Sequence, residues 1–316
     1  MYLTISILLI WASYMFYANQ WYLFIANWDI SVTMLFGSVI AGASSEGGGA
    51  IAFPVMTLIY KISPEVARNF SLAIQSIGMT CASCYIFCKK ISIDKNYLFL
   101  SSLGGTIGII LGVFYIAPDI SPSYMKMLFF SFWLSFAFIH FYLNHLSKRE
   151  VINNLPDLCK FEKLLIMITA LMGGILTSIL GSGIDIITFS FVTMRYGLSE
   201  KVATPTSVII MTINSIIGFL LHSFVLKDFG MEEFNYWLVC IPVVIFGAPI
   251  GVFIVSRLKR IQIAIFLYII IIVQFVGACF IIKLTNALII FSIFVFIFGM
   301  AFFFIIGKIL RPLQLS

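Results

Sequence analysis

The 316-residue chain is 61% hydrophobic and 10% charged, far more apolar than an average soluble domain. This composition excludes a water-soluble fold. The formal charge of +6 gives no support to nucleic-acid binding, because the basic residues lie in short segments between apolar stretches, where they act as topology signals. The six cysteines fall mostly within apolar stretches and do not resemble a secreted disulfide framework.

Apolar stretches of about 20 residues recur along the chain, each long enough to cross a hydrocarbon core roughly 30 Å thick. Spanning segments must be helical, because lipid cannot satisfy an open backbone. We therefore predict an all-α integral membrane protein. The first stretch is expected to be a retained helix, since it lacks the basic start and the cleavage pattern of a signal peptide. The eight predicted crossings are residues 2–26, 64–88, 95–117, 123–146, 200–225, 234–256, 260–282 and 286–308.

Two more apolar segments, residues 30–60 and 162–195, are interrupted near the middle by glycines. Their pieces look too short to cross a bilayer alone. Lysines and arginines mark the cytoplasmic loops, whereas the loop around Asp228 is acidic. These charges agree with one topology only if each interrupted segment enters and leaves on the same side, as a hairpin.

A constant shift of 136 residues aligns the two interrupted segments and the helices that follow them. It pairs Phe53 with Phe189, Tyr60 with Tyr196, Ser63 with Ser199, Ala67 with Ala203 and Ser71 with Ser207. We predict an inverted repeat of the kind found in secondary transporters, with both termini cytoplasmic in a plasma or bacterial inner membrane. The predicted layout is an N-terminal helix (1–29), a first repeat (30–147), a cytoplasmic loop (148–161), a second, inverted repeat (162–283) and a C-terminal helix and tail (284–316).

The glycine breaks supply the first candidate residues. Three consecutive glycines weaken a helix by about 1 kcal/mol each, and the helix after the first break would present free N–H groups to an anion. The alternative is that these glycines only allow a tight hairpin or close packing. Glu46 and Asp185 are carboxylates inside apolar segments, which makes them functional candidates, as proton carriers or cation ligands. They could also merely pack.

A polar stripe at helical spacing supplies the others. Arg68 could pair with an anionic substrate or with Glu46, or it could reach the membrane surface. The predicted substrate-binding residues are Ser45, Glu46, Gly47, Gly48, Gly49, Arg68, Asn69, Ser71, Gln75, Ser182, Gly183, Asp185, Thr204, Thr206, Ser207 and Asn214.

Other motifs are interpreted as structural. Cys81, Cys84 and Cys88 share one helical face, but no histidine is close in sequence, so we expect packing thiols rather than a metal site. The three histidines are also expected to be structural. We predict no cofactor and no metal. Two glycine series, at Gly104, Gly108 and Gly112 and at Gly247 and Gly251, are expected to let helices approach closely.

Three motifs resemble the TauE/SafE family of sulfite exporters and related permeases: Gly-Ala-Ser-Ser-Glu-Gly-Gly-Gly-Ala-Ile-Ala-Phe-Pro at 42–54, Ala-Arg-Asn-Phe-Ser at 67–71 and Ala-Thr-Pro-Thr-Ser at 203–207. The resemblance covers about residues 30–282. It implies export or uptake of small sulfur-containing or organic anions, coupled to an ion gradient. The second half departs from the family pattern, because Gly181-Ser182-Gly183-Ile184-Asp185 replaces a full glycine run and Ser190 stands where Pro54 stands in the first half.

The leading hypothesis is a secondary transporter that exposes a midplane site to each side in turn. No phosphate-binding loop of the G-x-x-x-x-G-K-[ST] type is present in the sequence, so ATP-driven pumping by this chain alone is not expected. A channel is the second hypothesis. An enzyme is expected least, because Leu180 breaks the order of a serine-nucleophile motif around Ser182. The expected partners are a small anionic substrate and the lipid bilayer, without nucleic acid, and the sequence leaves a homo-oligomer open.

Overall fold

The described chain folds almost entirely into helices. The computed structural model describes residues 2–44, 47, 49–116, 122–143, 151–282 and 284–305. Over these ranges the α-helices are α1 (Tyr2–Tyr17), α2 (Leu23–Ala26), α3 (Trp28–Ala43), α4 (Gly49–Pro54), α5 (Pro64–Cys88), α6 (Lys95–Tyr115), α7 (Pro122–Phe141), α8 (Lys160–Leu180), α9 (Ile184–Arg195), α10 (Glu200–Leu220), α11 (Met231–Arg257), α12 (Arg260–Ile281) and α13 (Asn286–Phe304). Short π-helical segments follow α4 and α10, at Val55–Ile59 and Leu221–Leu226.

Eight helices of the described residues are long and apolar enough to cross a membrane, which matches the predicted all-α membrane fold. The set of eight crossing helices differs from the predicted set in two places. The predicted crossing at residues 2–26 is wrong, because the helix ends at Tyr17 and Asn19 takes a left-handed conformation with φ of 51°, which asparagine tolerates well. The expectation that the segment before Gly181 is too short is also wrong, since α8 has 21 residues.

Helices α8 and α9 form an antiparallel hairpin, here called hairpin 2. Its turn depends on two glycines in conformations that other residues rarely adopt, Gly181 with φ of 75° and Gly183 with φ of 150°. Near its open end, Arg195 Nε donates a 3.0 Å hydrogen bond to Glu162 Oε2, and the Tyr196 hydroxyl also contacts that carboxylate. The segment therefore begins and ends at the same place. Hairpin 1 is the matching segment from α3 to Ile59.

Helices α5 and α10 lie antiparallel between the hairpins. The start of α5 meets the end of α10, because Asn69 Nδ2 donates to the Asp228 carbonyl at 3.1 Å. Farther along, the hydroxyls of Ser83 and Thr212 lie 2.8 Å apart. Ser63 caps α5 through a 3.3 Å bond from the Val66 N–H, as the sequence predicted. Inverted halves would give this antiparallel arrangement.

The glycine series bring helices into backbone contact, as expected. A Cβ built on Gly108 of α6 would lie 2.1 Å from the Leu171 carbonyl oxygen of α8. A Cβ on Gly251 of α11 would lie 2.0 Å from the Val39 carbonyl oxygen of α3. Each hairpin is thus packed against a glycine-bearing helix from the other half of the chain.

The helix bundle has two ends, which are named here by charged residues found at each. At one end, named the lysine end, α5 and α11 finish and α6, α8, α10 and α12 begin. Its basic residues include Lys89, Lys90, Lys95, Lys160, Lys201 and Arg257. At the other, named the Asp228 end, α10 finishes and α11 begins.

Candidate functional site

The turn of hairpin 2 is joined to the middle of α5 by Gln75. The Gln75 Nε2 atom donates to the Ser71 carbonyl at 2.9 Å and to the Gly181 carbonyl at 2.8 Å. The side chain is buried, with 2% of its surface exposed. Because both bonds go to carbonyl oxygens, the amide orientation is fixed and Oε1 points away from them.

Asp185 lies in the first turn of α9 and is also buried. Its Oδ1 accepts hydrogen bonds from the N–H groups of Gly183 and Ile186, both at 3.1 Å. The Ile184 N–H donates to Thr177 Oγ1 at 2.9 Å. These bonds occupy much of the helix N-terminus, so α9 differs from the free, anion-binding N-terminus expected after the first glycine break.

Gly47 brings the tip of hairpin 1 to the same place. Its φ is 71°, and a Cβ added there would lie 2.4 Å from Asp185 Oδ2 and 2.5 Å from Gln75 Oε1. Both oxygens therefore face the space that a larger residue would fill. Neither has a hydrogen-bond partner in the part of the chain that the structure describes.

Unpaired buried polar atoms are concentrated around this point. They include the hydroxyl oxygens of Ser71 and Ser182, which are fully buried without a partner among the described residues. Buried polar groups are almost always hydrogen-bonded in native proteins, so these atoms make this point the candidate ligand site. We call Gly47, Ser71, Gln75, Ser182 and Asp185 the central site.

A cavity of about 580 Å³ lies at the lysine end. It reaches Gly42 at the end of α3, and Thr204 and Pro205 at the start of α10. Its polar lining is formed by Lys90, Ser92, Asn153, Asn154, Glu200, Lys201, Thr204 and Ser256. We call this cavity the vestibule.

A polar cluster, here named the outer cluster, lies at the Asp228 end: Arg68, Asn69, His222 and Asp228. Arg68 Nη2 lies 3.7 Å from Asp228 Oδ2, and Arg68 Nε donates to Asn69 Oδ1 at 3.0 Å. His222 Nδ1 lies 2.8 Å from Asp228 Oδ1. Burial alone would raise the pKa of Asp228, but the bond from His222 and the charges of His222 and Arg68 lower it below its usual value.

Several predicted site residues lie elsewhere. Thr206 Oγ1 accepts from the Asp94 N–H at 3.1 Å, near the start of α6. Ser207 Oγ donates to the Thr204 carbonyl of its own helix. Asn214 adjoins Gly105 and Ile184, with an unpaired Oδ1 among the described residues. Gly49 begins α4. The predicted residues Ser45, Glu46 and Gly48 lie outside the described residues, and so does the proposed pairing of Arg68 with Glu46.

Sequence reasoning missed two pairs that each contain a buried histidine. One is the His222–Asp228 contact of the outer cluster. In the other, His140 Nε2 lies 3.8 Å from Glu200 Oε1 and Nδ1 lies 2.8 Å from the Tyr268 hydroxyl. Glu200 had no signal of its own, because an acidic residue in the first turn of a helix is common.

Comparison with known proteins gives one family. The model of the family described as "Sulfite exporter TauE/SafE" matches residues 30–278. The match runs from α3 into α12 and includes both hairpins. No curated protein and no solved structure matches the chain.

Proposed function

The chain belongs to the TauE/SafE family of sulfite exporters, and on that premise we propose that it is a secondary transporter of small anions. The substrate class is sulfite, sulfonates or small organic acids, and transport is coupled to an ion gradient. Family membership itself makes the chain a multi-pass membrane transporter. The substrate, the coupling and the mechanism are the proposal.

One observation carries the proposal: equivalent positions at the two ends are in opposite states. The shift of 136 residues places Arg68 on Thr204 and Asn69 on Pro205. Arg68 and Asn69 are tied into the outer cluster, whereas Thr204 and Pro205 line the open vestibule. A path that is open at one end and closed at the other is one state of an alternating-access cycle.

The two units that we propose to move against each other are hairpin 2 with α6 and hairpin 1 with α11, each of which combines parts of the halves 30–147 and 162–283. The reciprocal glycine contacts support this division, because α6 of the first half packs on hairpin 2 and α11 of the second half packs on hairpin 1. Such pairs can move as rigid units, since their backbones are in direct contact.

The vestibule has the charge that an anion requires. Lys90 and Lys201 are exposed at its lining, together with the side-chain amides of Asn153 and Asn154. The carboxylate there, Glu200, lies beside His140. Positive charge in a cleft with low-dielectric walls raises the local concentration of anions. The vestibule therefore serves as the entry for the substrate from the lysine end.

An enzymatic role for Ser182 finds no adjacent histidine base among the described residues. In the part of the chain that the structure describes, His140 is held by Tyr268 and His222 by Asp228, and Ser182 Oγ has no partner. Nucleophilic catalysis by serine needs an adjacent general base. This arrangement favours transport over hydrolysis.

The test is uptake of labelled sulfite, sulfonates and small carboxylates into proteoliposomes, with and without an imposed pH or sodium gradient. We expect saturable flux that a gradient drives uphill. Replacing both vestibule lysines, Lys90→Gln with Lys201→Gln, should raise KM several-fold with little change in the maximal rate, because the lysines aid binding more than translocation.

The matched control is Lys227→Gln, an exposed lysine at the Asp228 end, which should leave KM for entry from the lysine end unchanged. Flux that does not saturate and ignores the gradient would indicate a channel. If the double variant and the Lys227→Gln control changed KM equally, the vestibule would not lie on the substrate path.

A further inference from the structure

The central site presents oxygen atoms where an anion transporter would be expected to present donors. Asp185 Oδ2 and Gln75 Oε1 face the same space beside Gly47, and both are unpaired among the described residues. The nearby hydroxyls of Ser71 and Ser182 can accept as well. A carboxylate repels an anion in this low-dielectric setting. The chemistry of the site therefore fits a cation.

The Asp185 carboxyl is held in a fixed position for this role. Its Oδ1 is bound by two backbone N–H groups at the N-terminus of a 12-residue helix. Those bonds and the helix dipole stabilise a negative charge, and they leave only Oδ2 for a ligand. Gln75 cannot turn a donor toward Oδ2 without losing its bonds to two carbonyl oxygens.

The charged groups on the packed helices are engaged elsewhere. On α5, Arg68 belongs to the outer cluster. On hairpin 2, Glu162 and Arg195 pair with each other near the opposite end of the hairpin. On α10, Glu200 lies beside His140 of α7. Among the described residues of these helices, Asp185 is the carboxylate that faces the central site, and Glu46 lies outside the described residues.

We propose that the Asp185–Gln75 pair, with Gly47 leaving the space between them, binds the monovalent cation that drives transport. The cation is either a proton carried on Asp185 and shared with Gln75 Oε1, or a sodium ion held by these oxygens, which are ligands that hard cations prefer. This inference deepens the proposed transport function. The coupling of the bound cation to transport rests on that proposed function, whereas cation binding itself does not.

The position of the site explains how such a cation acts on the whole molecule. Gln75 comes from the first half, Asp185 from hairpin 2 and Gly47 from the tip of hairpin 1. A cation held by Gln75 and Asp185 in the space beside Gly47 stabilises the arrangement in which the two tips meet. A ligand shifts a conformational equilibrium only through its different affinity for the two states, and the proposed motion of the hairpins would separate the groups of this site in the second state.

The first arm of the test measures cation binding without any anion. The melting temperature of the full chain in detergent is recorded against sodium chloride at constant ionic strength, with choline chloride as replacement, and separately against pH. We expect an upward shift with sodium, or with falling pH if the cation is a proton. Asp185→Asn should abolish that shift, because the amide mimics the neutralised carboxyl.

Two further variants keep the outcome clear. Gln75→Met introduces the residue that Met211 provides at the equivalent position, and it should weaken the shift in melting temperature. It serves as the test if Asp185→Asn does not fold. Asp157→Asn changes an exposed carboxylate in the loop before α8 and should behave like the wild type. Equal sodium and pH dependence in wild type, Asp185→Asn and Gln75→Met would overturn the cation site.

The second arm separates this site from the transport function. In proteoliposomes, Asp185→Asn should retain exchange of a transported anion but lose its uphill accumulation. If no anion moves yet the Asp185-dependent shift persists, the proposed function fails and the cation site stands. If the anion is accumulated equally by wild type and Asp185→Asn, transport stands and the cation site is wrong.

Discussion

At the residue scale, the central site contains buried polar atoms that lower the stability of the fold unless a ligand binds them. A buried polar atom without a partner costs about 1–3 kcal/mol, and Ser71, Gln75, Ser182 and Asp185 each carry one within the described chain. Helical spacing and the glycine breaks placed these residues among the predicted substrate-binding residues, which stay a prediction. Spacing could not show that Gln75 reaches Gly181 or that Gly47 meets Asp185, because such contacts join segments more than 100 residues apart.

The outer cluster gives a pH prediction at the same scale. A carboxylate whose pKa is lowered by folding contributes stability above its unfolded pKa and loses that contribution as the pH falls through the folded value. Asp228 has a lowered pKa and a side chain that is 42% exposed. We therefore expect Asp228→Asn to cost no more than about 1 kcal/mol at pH 7.

The difference between wild type and Asp228→Asn should shrink as the pH falls below about 4, where a free aspartate is protonated. Thermal unfolding in detergent at pH 7 and at about pH 3 measures this difference in stability. Asp157→Asn is the control for an exposed carboxylate. A difference that stays constant down to pH 3 would mean that the ion pair with Arg68 and His222 contributes nothing to stability.

At the element scale, glycine decides which helices touch. The spacing of Gly104, Gly108 and Gly112 correctly predicted close approach but could not name the partner helix. The turn after Tyr17 was not predicted, because residues 18–22 contain no glycine or proline. The hydropathy of the segment alone favoured one continuous helix. Similarly, Lys160 begins α8 before the apolar stretch does, since a helix can start in its polar flank.

A glycine substitution tests this packing. Gly108→Ala should destabilise the protein by about 1–3 kcal/mol, because its Cβ meets the Leu171 carbonyl oxygen and the helices must separate. Gly277→Ala is the matched control, since a Cβ on that helical residue has no neighbour within 4 Å. Thermal unfolding compares the two. Equal melting temperatures for both variants would show that α6 and α8 are not in backbone contact.

At the scale of the whole molecule, sequence alone predicted the all-α membrane fold and the family, because composition and the glycine motifs are strong signals. The different surroundings of Arg68 and Thr204 were not predictable, since the predicted repeat places these two residues at equivalent positions. Only the contacts show that Arg68 belongs to the outer cluster and that Thr204 lines the vestibule. The cytoplasmic placement of the termini stays a prediction from loop charge.

Alternating access is the central claim, and site-directed thiol labelling tests it most directly. In a variant without its six native cysteines, Ser256→Cys reports on the vestibule, where Ser256 is exposed, and Asn69→Cys reports on the outer cluster, where Asn69 is buried. Without substrate, Ser256→Cys should label fast and Asn69→Cys slowly. A transported anion with its gradient should slow the first and speed the second. Simultaneous fast labelling at both positions, or labelling rates that substrate never changes, would contradict the account.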